Sequence, residues 1–254
     1  MKTINERHHY IKEHLYKNGF VSVNDLAEQL DVTGATIRRD LRIMEKEGVL
    51  RRNHGGASPI HEKVTELSLT DRHLLNKDAK QRIAVAAAAL MNDKDSLGVT
   101  SGSTVEAFVR QLHLKGPFKV VTPSIRLGVL LSETQNVELR ILGGNVVSST
   151  MTVRDEYSIQ GLRNVRCSKL FFSCDGFSIE DGVTSAFVSE ARMTECMMNI
   201  AQQRILLADS SKIGKCGFGR ICGMGDIDTL VTDSGISESL RVKIENLGVE
   251  VIVV

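Results

Sequence analysis

This chain carries almost no net charge: 32 Lys and Arg stand against 31 Asp and Glu, a formal +1 over 254 residues. So even a balance excludes a uniformly basic coat protein for nucleic acid. Affinity for such a polymer must come from where the charges sit. Cysteine is sparse. Cys167, Cys174, Cys196, Cys216 and Cys222 are odd in number, all lie in the C-terminal half, and none forms a C-x-x-C pair. Such a set makes no disulfide framework and no compact metal cluster. Reduced thiols in a cytoplasmic protein, with no metal and no cofactor, are the expectation. Long apolar runs are also missing. The best, residues 84–91, is too short to cross a bilayer and follows Lys80 and Arg82. A buried helix is expected there, and no membrane partner. The N-terminus lacks a signal-peptide pattern, and no repeat or low-complexity tract interrupts the chain. What is present, 42% apolar residues, is ample for the core of one large domain or two smaller ones.

The most informative stretch is residues 33–56, T-G-A-T-I-R-R-D-L-R-I-M-E-K-E-G-V-L-R-R-N-H-G-G. Ile37, Leu41 and Met44 recur at i, i+4, i+7, which predicts a helix with one buried apolar face. Arg39, Arg42 and Lys46 then fall on the opposite face, with Thr36 and Arg38 on its flanks. Thr33 suits the N-cap and Gly48 the stop. Upstream, V-N-D-L-A-E-Q-L at 23–30 predicts a short helix with apolar positions 23, 26, 27 and 30, and Asp31-Val32 makes a tight connection. This is helix-turn-helix spacing, in which the second helix reads the major groove of double-stranded DNA. A third helix is expected over residues 4–18, offering Ile4, Ile11 and Leu15 to the core. Val49 to Arg52 predicts a strand and Asn53-His54-Gly55-Gly56 a turn. Two arginines on such a ribbon, Arg51 and Arg52, suit phosphate or minor-groove contact. Residues 1–57 therefore read as a winged helix-turn-helix; the competing reading of 33–48 is a solvated amphipathic helix. These 57 residues hold ten Lys and Arg against eight Asp and Glu. With so small an excess, affinity is gained by presenting two or more heads, so a homodimer or homotetramer is expected.

The run V-N-D-L-A-E-Q-L-D-V-T-G-A-T-I-R-R-D-L, ending in R-R-N-H-G-G-A, resembles the N-terminal domain of DeoR-type bacterial transcription regulators. The resemblance implies that Thr36, Arg38, Arg39 and Arg42 sit in the DNA-reading helix, capped by Thr33, and that Arg51, Arg52 and His54 belong to the wing.

Residues 58–77 are polar, contain Pro59 and show no clean period; they read as a linker. From 78 to 254 the pattern becomes alternating helices and short apolar strands. Strands are predicted over 97–100, 118–122, 137–142, 169–173, 205–208, 229–232 and 249–254, with helices over 78–92, 103–112, 124–132, 188–202 and 237–246. Such alternation predicts an α/β domain with a largely parallel sheet. Ligands of these sheets bind beyond the carboxyl ends of the strands. The first loop in that place holds Ser101, Gly102, Ser103 and Thr104. Its glycine lets backbone N–H groups approach an anion, and its hydroxyls add donors, which suits a phosphate monoester. No G-K-[S/T] follows, so it is not a Walker loop. Thr122-Pro123-Ser124, Gly143-Gly144-Asn145, Cys174-Asp175-Gly176 and Asp209-Ser210-Ser211-Lys212 follow other strands. On one rim they would offer hydroxyls, amides, an acid and a lysine to a phosphorylated sugar. Lys212 would meet the phosphate; Asp175 and Glu190 would accept sugar hydroxyls. Each also has a plainer reading: a serine-rich turn for 101–104, a turn for Asp175-Gly176, a cap for Asp209.

S-G-S-T, T-P-S, L-G-G-N, C-D-G and L-A-D-S-S-K-I-G occur in the order found in DeoR-type sensor domains, which resemble ribose-5-phosphate isomerase in fold. The resemblance implies that a phosphorylated sugar binds here and changes DNA affinity, most often in a repressor of a carbohydrate operon. The alternative is a sugar-phosphate isomerase with an appended DNA-binding domain. Aldose–ketose isomerisation needs a base to move a proton between adjacent carbons. The isomerase pattern places a second acid just after D-G, then a K-G-G-G turn. Here Phe177-Ser178-Ile179 follows and no K-G-G-G exists, while Glu180 and Asp181 fall in a loop before Gly182. The binding shell is retained and the catalytic set is lost, so no catalytic residue is expected. A structural nucleoid protein would leave the α/β domain unexplained.

Overall fold

Ser22 and Thr33 start the two helices on which the first part of the chain depends. The computed structural model describes residues 3–18, 20–47, 49–53, 55–59, 72, 74–112 and 118–254. Helix α1 (Ile4–Asn18) leads to a short strand β1 (Val21–Ser22). The Ser22 side chain then accepts from the Asn24 and Asp25 amides and opens α2 (Val23–Leu30). Asp31, left-handed at φ 52°, ends α2 and turns the chain. Thr33 accepts from the Thr36 amide and opens α3 (Gly34–Lys46). A ribbon follows, β2 (Leu50–Asn53) and β3 (Gly56–Pro59), with β1 added alongside β3. Gly56 is required where β1 meets β3, because a Cβ there would lie 2.1 Å from the Val21 carbonyl oxygen. Ile11, Leu15, Val23, Leu26, Leu30, Ile37, Leu41, Met44 and Leu50 close the core. Ile4 does not join them. It shares a face with Ile11, but it is the first residue of α1 and is 55% exposed. Gly48 and His54 lie outside the described residues, as does most of the expected linker; β3 runs to Pro59, two residues past the expected end of the first module.

The second module is built in chain order from α4 (Lys77–Ala89), β4 (Ser96–Val99), α5 (Ser103–Val109), β5 (Phe118–Thr122), α6 (Ile125–Ser132) and β6 (Val137–Ile141). Then come β7 (Val146–Val147), β8 (Thr152–Val153), α7 (Glu156–Gln160), β9 (Cys167–Phe172), β10 (Gly176–Ser178), β11 (Gly182–Ser185) and α8 (Val188–Met198). The last elements are β12 (Ala201–Leu207), β13 (Gly219–Cys222), β14 (Thr229–Thr232), α9 (Glu238–Glu245) and β15 (Glu250–Val253). Seven strands form one parallel sheet in the order β15-β14-β12-β9-β4-β5-β6. Neighbouring residues of β9 point to opposite faces, as strand geometry requires. Phe171 packs with Ile83, Val105, Phe108 and Leu127, whereas Leu170 and Phe172 pack with Met193, Met197, Leu240 and Ile244. Helices therefore cover both faces, and the loops at the strands' carboxyl ends stay free to build a site.

All seven predicted sheet strands are present. The helix expected over 188–202 stops at Met198, because Ala201 already pairs with Cys167 at the start of β12. Sequence reasoning missed the antiparallel sheet β10-β11-β13 and the β7-β8 hairpin. Among the described residues no helix is long and apolar enough to cross a membrane.

Candidate functional site

Helix α3 presents a divided surface. Ile37, Leu41 and Met44 are buried, while Arg38, Arg39, Arg42 and Lys46 are exposed. Thr33 is exposed and its hydroxyl lies 2.9 Å from that of Thr36, so both stand at the helix entrance. Asp40 is the exception within the buried face. Arg7 grips it with a fork, Nε to Oδ2 at 2.8 Å and Nη2 to Oδ1 at 3.0 Å. This charge-assisted pair ties α1 to α3 and raises the Arg7 pKa, chiefly through the hydrogen bond to Asp40. Three links join the ribbon to α3. The Val49 amide donates to the Met44 carbonyl at 2.9 Å, Leu50 is buried in the shared core, and Glu45 accepts from the Arg52 amide and from its Nε at 2.8 Å. Those bonds from Arg52 lower the Glu45 pKa. Arg51 and Arg52 are both exposed, but Arg52 has this intramolecular partner.

At the carboxyl ends of the sheet strands, one small cavity is lined by Ser101, Gly102, Asp175 and Glu190 of the expected residues. Ser101 Oγ donates to Glu190 Oε1 at 3.0 Å. Ser185 Oγ reaches both acids, Asp175 Oδ2 at 3.2 Å and Glu190 Oε2 at 3.1 Å. The Ala186 amide donates to Asp175 Oδ2 at 2.8 Å. Burial pushes the Glu190 pKa up, and the neighbouring charge of Asp175 pushes the same way. Gly102 sits at φ 126°, and a Cβ there would lie 2.1 Å from Ser173 Oγ. Only glycine fits, so the loop backbone comes close to β9.

The other expected residues do not line this cavity. Ser103 and Thr104 are buried at the start of α5. Thr122 Oγ1 accepts from the Ser124 amide, and Ser124 caps α6. Gly143 and Gly144 precede Asn145, whose amide is held by Asp155 at 2.7 Å. That bond, with those from Ser158, brings the Asp155 pKa down to about 2. Gly176 begins β10 beneath the Lys215 carbonyl, and Lys212 lies in a helical turn after β12.

Two arginines were missed. Arg154 Nη1 lies 3.4 Å from Glu190 Oε2, with its guanidinium 4.4 Å from the centre of the Phe187 ring. Arg72 comes from the segment between the two modules, and its Nη1 lies 2.9 Å from Asp175 Oδ1. Lys80 Nζ, itself buried, donates to the Arg72 and Leu75 carbonyls, and Asn76 Nδ2 donates to Asp209 Oδ1 at 2.8 Å. With Arg72 in place the cavity measures about 20 Å³, room for about one water molecule. Nothing in the local sequence of Arg72 signals this contact, which spans a hundred residues and more.

Both modules match models of one protein family. Residues 7–63 match the DeoR-like helix-turn-helix domain, and residues 75–234 match the DeoR C terminal sensor domain. The chain belongs to the DeoR family. It is 30% identical to the uncharacterized HTH-type transcriptional regulator YulB of Bacillus subtilis (strain 168), over 97% of this chain and 95% of that protein. It is 31% identical to a putative aga operon transcriptional repressor of Escherichia coli O157:H7, over 98% and 93%. The lactose phosphotransferase system repressor of Staphylococcus epidermidis (strain ATCC 35984 / DSM 28319 / BCRC 17069 / CCUG 31568 / BM 3577 / RP62A) is 32% identical over 93% and 94%. Among solved structures, ribose 5-phosphate isomerase A from Methanocaldococcus jannaschii is similar at 18% identity over 54% of this chain and 55% of that one, with a TM-score of 0.41. This DeoR-family chain is a DNA-binding transcriptional regulator and not an enzyme.

Proposed function

We propose that this regulator represses a carbohydrate-use operon in the cytoplasm, and that a phosphorylated sugar sets its operator affinity. Residues 1–57 form the reading head, 58–77 the connection, and 78–254 the sensing and assembling domain. Thr33, Thr36, Arg38, Arg39 and Arg42 meet an operator half-site, the arginines reaching guanine edges or phosphates. Arg51, Arg52 and His54 meet the flanking backbone or minor groove. Two or four heads act together, which multiplies a weak single contact. The sugar lies on the rim at Ser101, Gly102, Ser103, Thr104, Thr122, Ser124, Gly143, Gly144, Asp175, Gly176, Glu190 and Lys212.

One observation carries the link between the two ends: Arg72, from the connecting segment, occupies Asp175. Asp175 is the acid that a sugar hydroxyl would use, and the cavity around it is too small for any sugar while Arg72 stays. Entry of the ligand then displaces the chain that leads to the head. A ligand shifts an equilibrium only through its different affinity for the two states, typically ~1–3 kcal/mol. The relatives named as repressors of aga and lactose systems support the carbohydrate reading. The test is fluorescence anisotropy of the full chain on promoter fragments from its own chromosomal neighbourhood, with and without a panel of sugar phosphates. Operator binding that one sugar phosphate changes several-fold is the expected result. Failure to bind every such fragment would sink the proposal.

A further inference from the structure

Strand β6 ends the seven-stranded sheet, and among the described residues no strand pairs with its outer side. An open edge invites another strand, and proteins usually blunt it with repeated lysines, a proline or a bulge. Here the edge reads Val137-Glu138-Leu139-Arg140-Ile141, with opposite charges two residues apart and both exposed.

The ladder fixes which groups face out. The Phe118 amide donates to the Asn136 carbonyl, and the Leu142 amide donates to the Thr122 carbonyl. With the parallel register Phe118↔Val137 through Thr122↔Ile141, the peptide groups of Glu138 and Arg140 turn towards β5. Those of Val137, Leu139 and Ile141 turn outward, since alternate residues serve each side of a strand.

A second copy placed antiparallel about a two-fold axis at Leu139 satisfies every one of these groups. Leu139 exchanges hydrogen bonds with its own mate, and Val137 with the partner's Ile141. Glu138 then faces the partner's Arg140 in the positions where antiparallel side chains come closest, Cα atoms about 4.5 Å apart. An axis at Glu138 or Arg140 would instead oppose like charges. An axis at either end of the strand would leave half of it unpaired. The apolar side agrees: Ile141 is 46% exposed and lies across Gly128 of α6, beside Val129 at 55%. On the charged side, the bridge from Glu138 to Lys119 is 3.7 Å long and its side chains are 76% and 75% exposed, so it competes weakly.

We propose that β6 joins two copies of this chain edge to edge through that self-complementary register, making one continuous sheet. The reading above asks for more than one head; this surface supplies the joint, and its test uses neither DNA nor sugar. Sedimentation velocity on the full chain should give a dimer or a larger assembly. Glu138→Arg and Arg140→Glu each place like charges across the axis, and each should weaken self-association about tenfold or more. Mixing the two single variants, or combining both changes in one chain, restores opposite charges and should restore the mass. Leu139→Cys should form a disulfide-linked dimer on mild oxidation, and Lys119→Cys, one strand inward, should not. A monomeric wild type, single variants of unchanged mass, or a mixture that stays dissociated would each overturn the proposal. Should a charge variant fail to fold by circular dichroism, the cysteine pair decides alone: cross-linking at residue 119 as readily as at 139 rejects the register.

Discussion

Arg72 and Asp175 stand 2.9 Å apart, nitrogen to carboxylate oxygen, with their side chains 15% and 5% exposed. One belongs to the segment between the modules and the other to the sensor rim.

Replacing Arg72 by Ala should let a sugar phosphate bind more tightly while the operator response disappears. The ratio of operator affinities with and without sugar, about 5–150-fold in a coupled regulator, should fall to near one. Anisotropy titrations read both numbers. A weaker sugar affinity with an intact response would mean that Arg72 grips the ligand rather than yielding to it.

Arg39→Ala and Asp40→Ala are neighbours with opposite expected effects. Arg39 is exposed, so its loss should cost operator binding about 1–3 kcal/mol and leave the melting temperature unchanged. Asp40 is buried under Arg7. Its loss takes the forked carboxylate from a buried guanidinium and should cost about 3 kcal/mol of fold stability. Differential scanning calorimetry beside anisotropy separates the two.

Glu190 makes stability depend on pH. Its carboxyl titrates higher in the fold than the usual unfolded value near 4.3, because it is buried and faces Asp175. A raised acid binds its proton more tightly when folded. Its stabilising contribution is complete below ~4.3 and is lost as pH rises through the folded value. Glu190→Gln should flatten this part of the profile, seen in urea unfolding at a series of pH values. An unchanged slope would refute the assignment.

The thiols should be slow. Burial pushes Cys167 up to about 11 and Cys222 up to about 12, raises Cys174 further, and raises Cys196 and Cys216 as well. Iodoacetamide near neutral pH should label the native chain about tenfold or more slowly than the unfolded one, since thiolate is the reacting form. Rapid labelling of any one cysteine, located by mass spectrometry, would contradict this.

Much of the fold was legible because its signals are local. Ile37, Leu41 and Met44 repeat at helix spacing, Thr33 caps, and each sheet strand is a short apolar run between helices. The sheet β10-β11-β13 was not legible, because G-F-S, G-V-T-S and G-R-I-C are too short and too mixed to show a period. Asp40 interrupts the apolar face of its own helix, and only its distant partner Arg7 explains it. Ser101, Gly102, Asp175 and Glu190 could be grouped in advance because each follows or faces a strand end. Arg72 and Arg154 could not, since their roles arise from contacts 103 and 36 residues away in sequence.

The three links between α3 and the ribbon, at Val49, Leu50 and Glu45, also constrain the partner. In the complex proposed above, helix and ribbon arrive at a duplex as a single blade. The step along the double helix from the bases one touches to the backbone the other touches is built into the protein. A cognate half-site therefore has a fixed footprint, and inserting one base pair between its inner and outer contacts should spoil it as surely as changing the letters.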